Sequence, residues 1–151
     1  MSTPPVTDEP PRRLVGYTAG VFDLFHVGHL RLLHNAAALC DTLIVGVSSD
    51  ELVQYKGKSP IVPFAERVEI VRSVKGVAAV VTQNDMDKFA MWQKLKFDVM
   101  FVGDDWHGTE KWNALEAQFA EVGVQIIYFP YTEGTSSTLI TKELKSRHHV
   151  E

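Results

Sequence analysis

The stretch Tyr17 to His29, YTAGVFDLFHVGH, opens like a β-strand, passes through a turn of small residues, and ends on two histidines three apart around a glycine. That is the layout of a nucleotide-binding site in an α/β protein. Histidines at i and i+3 in the first turn of a helix share one face, where unpaired backbone N–H groups and the helix dipole favour an anion. Gly28 has no side chain, so a nucleotide can lie against the backbone there. The plain alternative is that His26 and His29 are ordinary polar residues at a helix start. The strand and glycine-containing turn before them, and the apolar helix after them, favour the site.

Outward from this stretch the chain alternates strand and helix. Short runs rich in β-branched residues predict strands at Leu14–Thr18, Thr42–Val47, Ala79–Val81, Val99–Val102 and Gln125–Phe129. Helices are predicted between them. Leu30–Leu39 is apolar nearly all round, Pro63 fits the first turn of a helix carrying Phe64, Val68 and Val71, and Trp92 and Leu95 suggest a third. Leu115, Phe119 and Val122 mark a fourth, stopped by Gly123. Five strands with interleaved helices predict a single doubly wound, Rossmann-like α/β domain with a five-stranded parallel sheet, whose ligands sit beyond the carboxyl ends of the strands.

At 151 residues, 45% of them hydrophobic, the chain suits one substantial core. A net charge of −4 without basic runs argues against general nucleic-acid binding. The single cysteine, Cys40, has no internal disulfide partner, which fits a cytoplasmic setting. Residues 1–12, with four prolines, read as a disordered tail, and residues 146–151 as a frayed end, leaving 13–145 as the domain. No stretch reaches the roughly eighteen apolar residues of a membrane span, so no membrane insertion is expected.

Five motifs occur in order: GVFDLFHVGH (Gly20 to His29), KGK (Lys56 to Lys58), ERVEIV (Glu66 to Val71), GDDW (Gly103 to Trp106) and TEGTSST (Thr132 to Thr138). In these, over about residues 14 to 145, the chain resembles the cytidylyltransferases of the glycerol-3-phosphate cytidylyltransferase type, within the HxGH nucleotidyltransferase superfamily. The resemblance implies that His26, His29 and Lys56 are catalytic, with Lys56 bridging the two reacting phosphates. It implies nucleotide contacts from Gly20, Val21, Phe22, His26, Gly28, His29, Lys75, Thr132, Gly134, Ser136, Ser137 and Thr138. Acceptor contacts are expected from Asp23, Lys56, Arg67, Asp104 and Trp106. The family is dimeric, which implies a homodimer. Three positions depart from the family pattern: Tyr131 where arginine precedes TEG, Val21 where threonine is usual, and Lys75 where the glycerol-3-phosphate enzymes tend to carry arginine. Lysine keeps a charge but not the guanidinium fork, and tyrosine keeps neither.

The chemistry follows from the charges. A phosphate monoester, largely dianionic at neutral pH, is already a competent nucleophile toward the α-phosphorus of a nucleoside triphosphate. The site must align two anions and donate to the in-line transition state and departing pyrophosphate. His29 is assigned to the α-phosphate and His26 nearer the leaving group. Mg²⁺ held mainly by phosphate oxygens, with at most one aspartate, fits better than zinc, which wants three or four protein ligands; no protein metal ligand is assigned. Gln54 to Pro60 has little periodicity and predicts a mobile loop over the site, though Lys56 and Lys58 also suit a solvated surface. Ser136 to Thr138 suit helix caps as well as phosphate contacts. Arg67 can bind phosphate or pair with a carboxylate such as Asp50. Of Asp104 and Asp105, one is expected to face the site, and Trp106 is either cover for the cleft or an acceptor contact. His34 and His107 are read as surface or supporting residues.

The expectation is transfer of CMP from CTP, with Mg²⁺, to a small phosphate monoester, glycerol 3-phosphate first. Other phosphorylated alcohols, amino alcohols or amino-acid derivatives, an ATP-dependent adenylyltransferase, and a non-catalytic nucleotide-sensing module are the alternatives.

Overall fold

The five strand-forming runs become β1 (Val15–Gly20), β2 (Thr42–Ser48), β3 (Val77–Gln83), β4 (Val99–Gly103) and β5 (Gln125–Phe129). The computed structural model, which describes residues 13–55 and 57–130, pairs them all in parallel in the order β3-β2-β1-β4-β5. Between them lie α1 (Val27–Ala38), α2 (Asp50–Tyr55), α3 (Phe64–Arg72), α4 (Lys88–Leu95) and α5 (Glu110–Ala120), with a 3-10 turn at Asp104–Trp106. This is the doubly wound, five-stranded parallel sheet that the alternation of patterns predicts.

Side chains on alternate faces of the sheet build two cores. Val99 and Phe101 of β4 join Leu43, Val45 and Val47 of β2, Leu33 and Ala36 of α1, and Val71 of α3. Met100 and Val102 point the other way, to Tyr17, Met91 of α4, and Trp112 and Phe119 of α5. Burying each of the larger apolar side chains contributes about 1.5–3 kcal/mol, so the two layers fix the strand order firmly.

Tyr17 is polar but lies wholly within the second core. Its hydroxyl crosses β2 and donates to Oε1 of Gln83 on β3, itself buried. The crossing works because β2 has Gly46 beneath it, where any Cβ would collide with the phenol. Burial, followed by the charge of Asp85, pushes the Tyr17 pKa up, so the hydroxyl remains a donor.

Several element bounds differ from expectation: α1 begins at Val27 rather than Leu30, and α5 ends at Ala120, before Val122. β1 runs two residues further, to Gly20, because Ala19 and Gly20 pair with Gly46 and Val47. β3 is longer at both ends, pairing from Val77 to Gln83. α2 was not expected, and it takes in Gln54 and Tyr55, the first residues of the supposed loop. Ser49 caps it, its hydroxyl accepting the Leu52 N–H at 3.1 Å, and Leu52 and Val53 are buried. Beyond it the backbone turns back, Gly57 N–H donating to the Gln54 carbonyl and Lys58 N–H to that of Val53. Among the described residues no helix is long and apolar enough to cross a membrane.

Candidate active site

The strand order reverses direction between β1 and β4, the position where open α/β sheets bind ligands. The β1–β4 ladder consists of two residue pairs at the amino ends, Gly16 with Val99 and Tyr17 with Met100, whereas β1 and β2 pair from Val15 through Gly20. The Thr18 hydroxyl bonds the Phe101 carbonyl at 2.8 Å, and beyond it the two strands are free to part. The segment with the two histidines leaves β1 and the Asp104–Trp106 turn leaves β4, on the two sides of this crevice.

His26 is the N-cap of α1, and the two imidazoles cap the helix start reciprocally. Nδ1 of His26 accepts the Gly28 N–H at 3.0 Å, and Nδ1 of His29 accepts the His26 N–H at 3.2 Å. The rings stack with centroids 4.0 Å apart. A nitrogen that accepts cannot carry a proton, so both neutral rings have it on Nε2. Burial lowers the His26 pKa. Burial, then His26, bring the His29 pKa down to about 4, with Asp23 opposing. Phe22 and Phe25 flank His29 at 5.5 and 5.3 Å between ring centroids. At neutral pH the pair therefore presents an N–H on each ring rather than two cations. The Gly28 N–H, expected for a nucleotide, is used by His26.

Before the histidines the chain is strained. Phe22 and Leu24 occupy the left-handed region at φ 55° and 50°, each at a cost of about 1 kcal/mol. Phe22 is buried, its ring lying over Gly20.

Arg67 departs from the acceptor-binding role that the resemblance implied and takes the structural one that the sequence also offered. Arg67 is wholly buried on α3. Its Nε donates to the Val62 carbonyl at 2.9 Å, its Nη1 to those of Val21 and Ser48 at 2.8 Å each, and its Nη2 to Asp50 Oδ1 at 2.5 Å. The guanidinium is committed to the ends of β1 and β2 and the start of α2; the pairing with Asp50 is the structural alternative that the sequence offered. The Asp23 carboxylate accepts the backbone N–H groups of Leu24, Ile61 and Val62 at 3.1, 2.9 and 2.8 Å.

Lys75 is also misplaced as a nucleotide contact. It is exposed in the turn between α3 and β3, at the amino-terminal end of β3, whereas the histidines and GDDW lie beyond carboxyl ends. Because the sheet is parallel, these are opposite edges. Asp104 and Asp105 are both exposed in the turn after β4. His107 stacks on Tyr128 of β5 at 4.2 Å, and His34 is exposed on α1. Lys56, Tyr131, Thr132, Gly134, Ser136, Ser137 and Thr138 lie outside the described residues. Among the described residues no group of three or more histidine, cysteine or acidic side chains forms a metal site. The buried arginine takes the structural pairing with Asp50 towards which the sequence reading leaned, rather than the acceptor contact that the resemblance implied. Its signal was Val68 and Val71 on the same helix, which place the Arg67 stem beside the core.

A cytidylyltransferase-like family model matches residues 17–145. The glycerol-3-phosphate cytidylyltransferase of Bacillus spizizenii is 36% identical over 130 residues, covering 85% of this chain and 95% of that protein. An FAD synthase of Archaeoglobus profundus is also 36% identical over 130 residues, covering 83% and 82% of the two chains. The solved structure of a lipopolysaccharide core biosynthesis protein from Thermoplasma volcanium shares the fold, with a TM-score of 0.68 at 23% identity, covering 82% of this chain and 100% of that one. With its paired imidazoles at the sheet's switch point and a family match over most of its length, this chain belongs to the cytidylyltransferase-like family of nucleotidyltransferases.

Proposed function

We propose that this protein transfers CMP from CTP to a small phosphate monoester, glycerol 3-phosphate first among candidates, releasing pyrophosphate. The observation that carries the reading is the His26–His29 pair, whose capping bonds leave a proton on Nε2 of each ring. A monoester oxygen attacks the α-phosphorus as the bond to the pyrophosphate oxygen breaks, and the leaving group departs with the electron pair. No proton need be removed from the dianionic nucleophile. The imidazoles instead donate to charge that grows on the triphosphate, His29 at the α-phosphate and His26 nearer the leaving group. Family resemblance supports Lys56 as the cation between the reacting phosphates, and Thr132, Gly134, Ser136, Ser137 and Thr138 as nucleotide contacts. Gly20, Val21 and Phe22 shape the nucleotide side of the crevice, and Asp104 and Trp106 are assigned to the acceptor.

Mg²⁺ fits as a partner of the triphosphate. The exposed carboxylates of Asp104 and Asp105 offer at most one or two protein oxygens, which suits an ion that keeps phosphate and water ligands and supplies charge neutralisation. The protein acts in the cytoplasm as a homodimer in this reading, without nucleic acid or membrane partners.

The test is pyrophosphate release with each nucleoside triphosphate, a panel of phosphate monoesters and Mg²⁺. Turnover that requires CTP and glycerol 3-phosphate supports the assignment. The identity to an FAD synthase favours a second reading, adenylyl transfer; ATP used as well as CTP, or better, would establish it. Nucleotide binding without turnover of any acceptor would point to a sensor.

A further inference from the structure

We propose that Asp23 is a positioning residue whose carboxylate holds the strained backbone between β1 and α1 in the conformation that presents the His26–His29 pair, a role that rests on the nucleotidyl-transfer reading above. Its neighbours on both sides, Phe22 and Leu24, have φ of 55° and 50°. Residues with a Cβ stay in that region only when their surroundings hold them there. The hold comes from far along the chain. Oδ2 of Asp23 accepts the Ile61 N–H at 2.9 Å and Oδ1 the Val62 N–H at 2.8 Å, while Oδ1 also accepts the Leu24 N–H.

The segment that supplies those N–H groups is itself fixed. Arg67 donates from Nε to the Val62 carbonyl and from Nη1 to the Val21 carbonyl. Asp23 and Arg67 thus tie residues 21–23 to residues 61–62 by both polar ends of the backbone. His26 follows Leu24 by two residues and its own N–H enters the reciprocal cap with His29. If Leu24 left the left-handed region, the chain would approach α1 from another direction and that cap would be lost. Asp23 therefore acts on the reaction through the histidines, without touching the acceptor.

The test uses the full chain and three variants: Asp23→Asn, Leu24→Gly and the double variant. Asparagine keeps the size of the side chain but sets an NH₂ either against the Ile61 amide or against those of Leu24 and Val62, so at least one of the three hydrogen bonds becomes a meeting of donors. Asp23→Asn is expected to lower kcat by roughly ten- to a hundredfold, the scale of a small displacement of catalytic groups. KM for CTP and for glycerol 3-phosphate should change by less than about threefold. Glycine enters the left-handed region without penalty, so Leu24→Gly should restore much of the kcat lost in Asp23→Asn. Nitrogen NMR of the ligand-free imidazoles supplies a readout apart from activity. Both rings should have unprotonated Nδ1 in the wild type, Asp23→Asn should lose that signature, and the double variant should regain it.

A raised KM for the acceptor at unchanged kcat, with no rescue by Leu24→Gly, would overturn the proposal and make Asp23 an acceptor ligand. Should the wild type turn over no nucleotide, the transfer reading fails, and the imidazole spectra still decide whether Asp23 holds the pair. If Asp23→Asn does not fold, hydrogen exchange on the wild type decides. Ile61 and Val62 amides should exchange much more slowly than that of Ser59, and equal rates would refute the clamp.

Discussion

Replacing Arg67 by methionine keeps most of the stem's volume and removes the guanidinium, stranding the carbonyls of Val21, Ser48 and Val62. Each loses a charge-assisted donor where little water replaces it, at a cost of about 1–2 kcal/mol apiece. Asp50 adds little, because its side chain is 40% exposed and rehydrates when the partner leaves. The expected loss is about 3–5 kcal/mol, also the usual scale for breaking a buried charge pair. In a chain of this size it lowers Tm by roughly 10 °C. Arg67→Lys reaches one or two of the four acceptors and should fall between. Urea unfolding of both variants beside the wild type measures this, with an unchanged m-value as the sign that stability alone has moved. A loss below about 1 kcal/mol in Arg67→Met, accompanied by a large rise in KM for the acceptor, would refute the reasoning and return Arg67 to the acceptor site.

His29→Ala should lower kcat by about 10²-fold or more in steady-state kinetics, the scale of one lost transition-state donor; near-normal kcat in a folded variant would reduce His29 to a cap. Because burial brings its folded pKa down to about 4, the unfolded chain takes up this proton first as pH falls below about 6.5. The sign is therefore that stability is fully present above that pH and declines toward about pH 4, a decline that thermal melts should find shallower in His29→Ala. Lys56→Met should reduce kcat steeply while Lys58→Met costs much less; equal, small effects of the two on kcat/KM would remove Lys56 from the site.

Local periodicity was enough to determine the sheet. Runs such as Thr42–Val47 and Val99–Val102 have few other ways to bury their side chains than as central parallel strands, and the helices between them leave only crossover connections. The histidine pair was equally local, because a helix start makes residues three apart meet whatever else the chain does. α2 was missed, because its six residues are too few to show a helical period, although Ser49 followed by Asp50 and Glu51 offers a cap and an acidic first turn.

Tertiary structure alone decided what the charged residues do. In sequence Asp23 looks like a charge available to a substrate hydroxyl, and Arg67 like a partner of either a phosphate or Asp50. Their most distant backbone partners lie 39 and 46 residues away, at Val62 and Val21, and only the docking of α3 against the ends of β1 and β2 brings these together. Lys75 was likewise decided by direction. Parallel pairing puts the turn before β3 at the edge opposite the histidines, and no reading of nearby residues reports which end of a sheet a turn occupies. Which bonds a side chain makes along the chain follows from spacing, but whether a charge faces solvent or is spent on distant carbonyls depends on how whole elements pack.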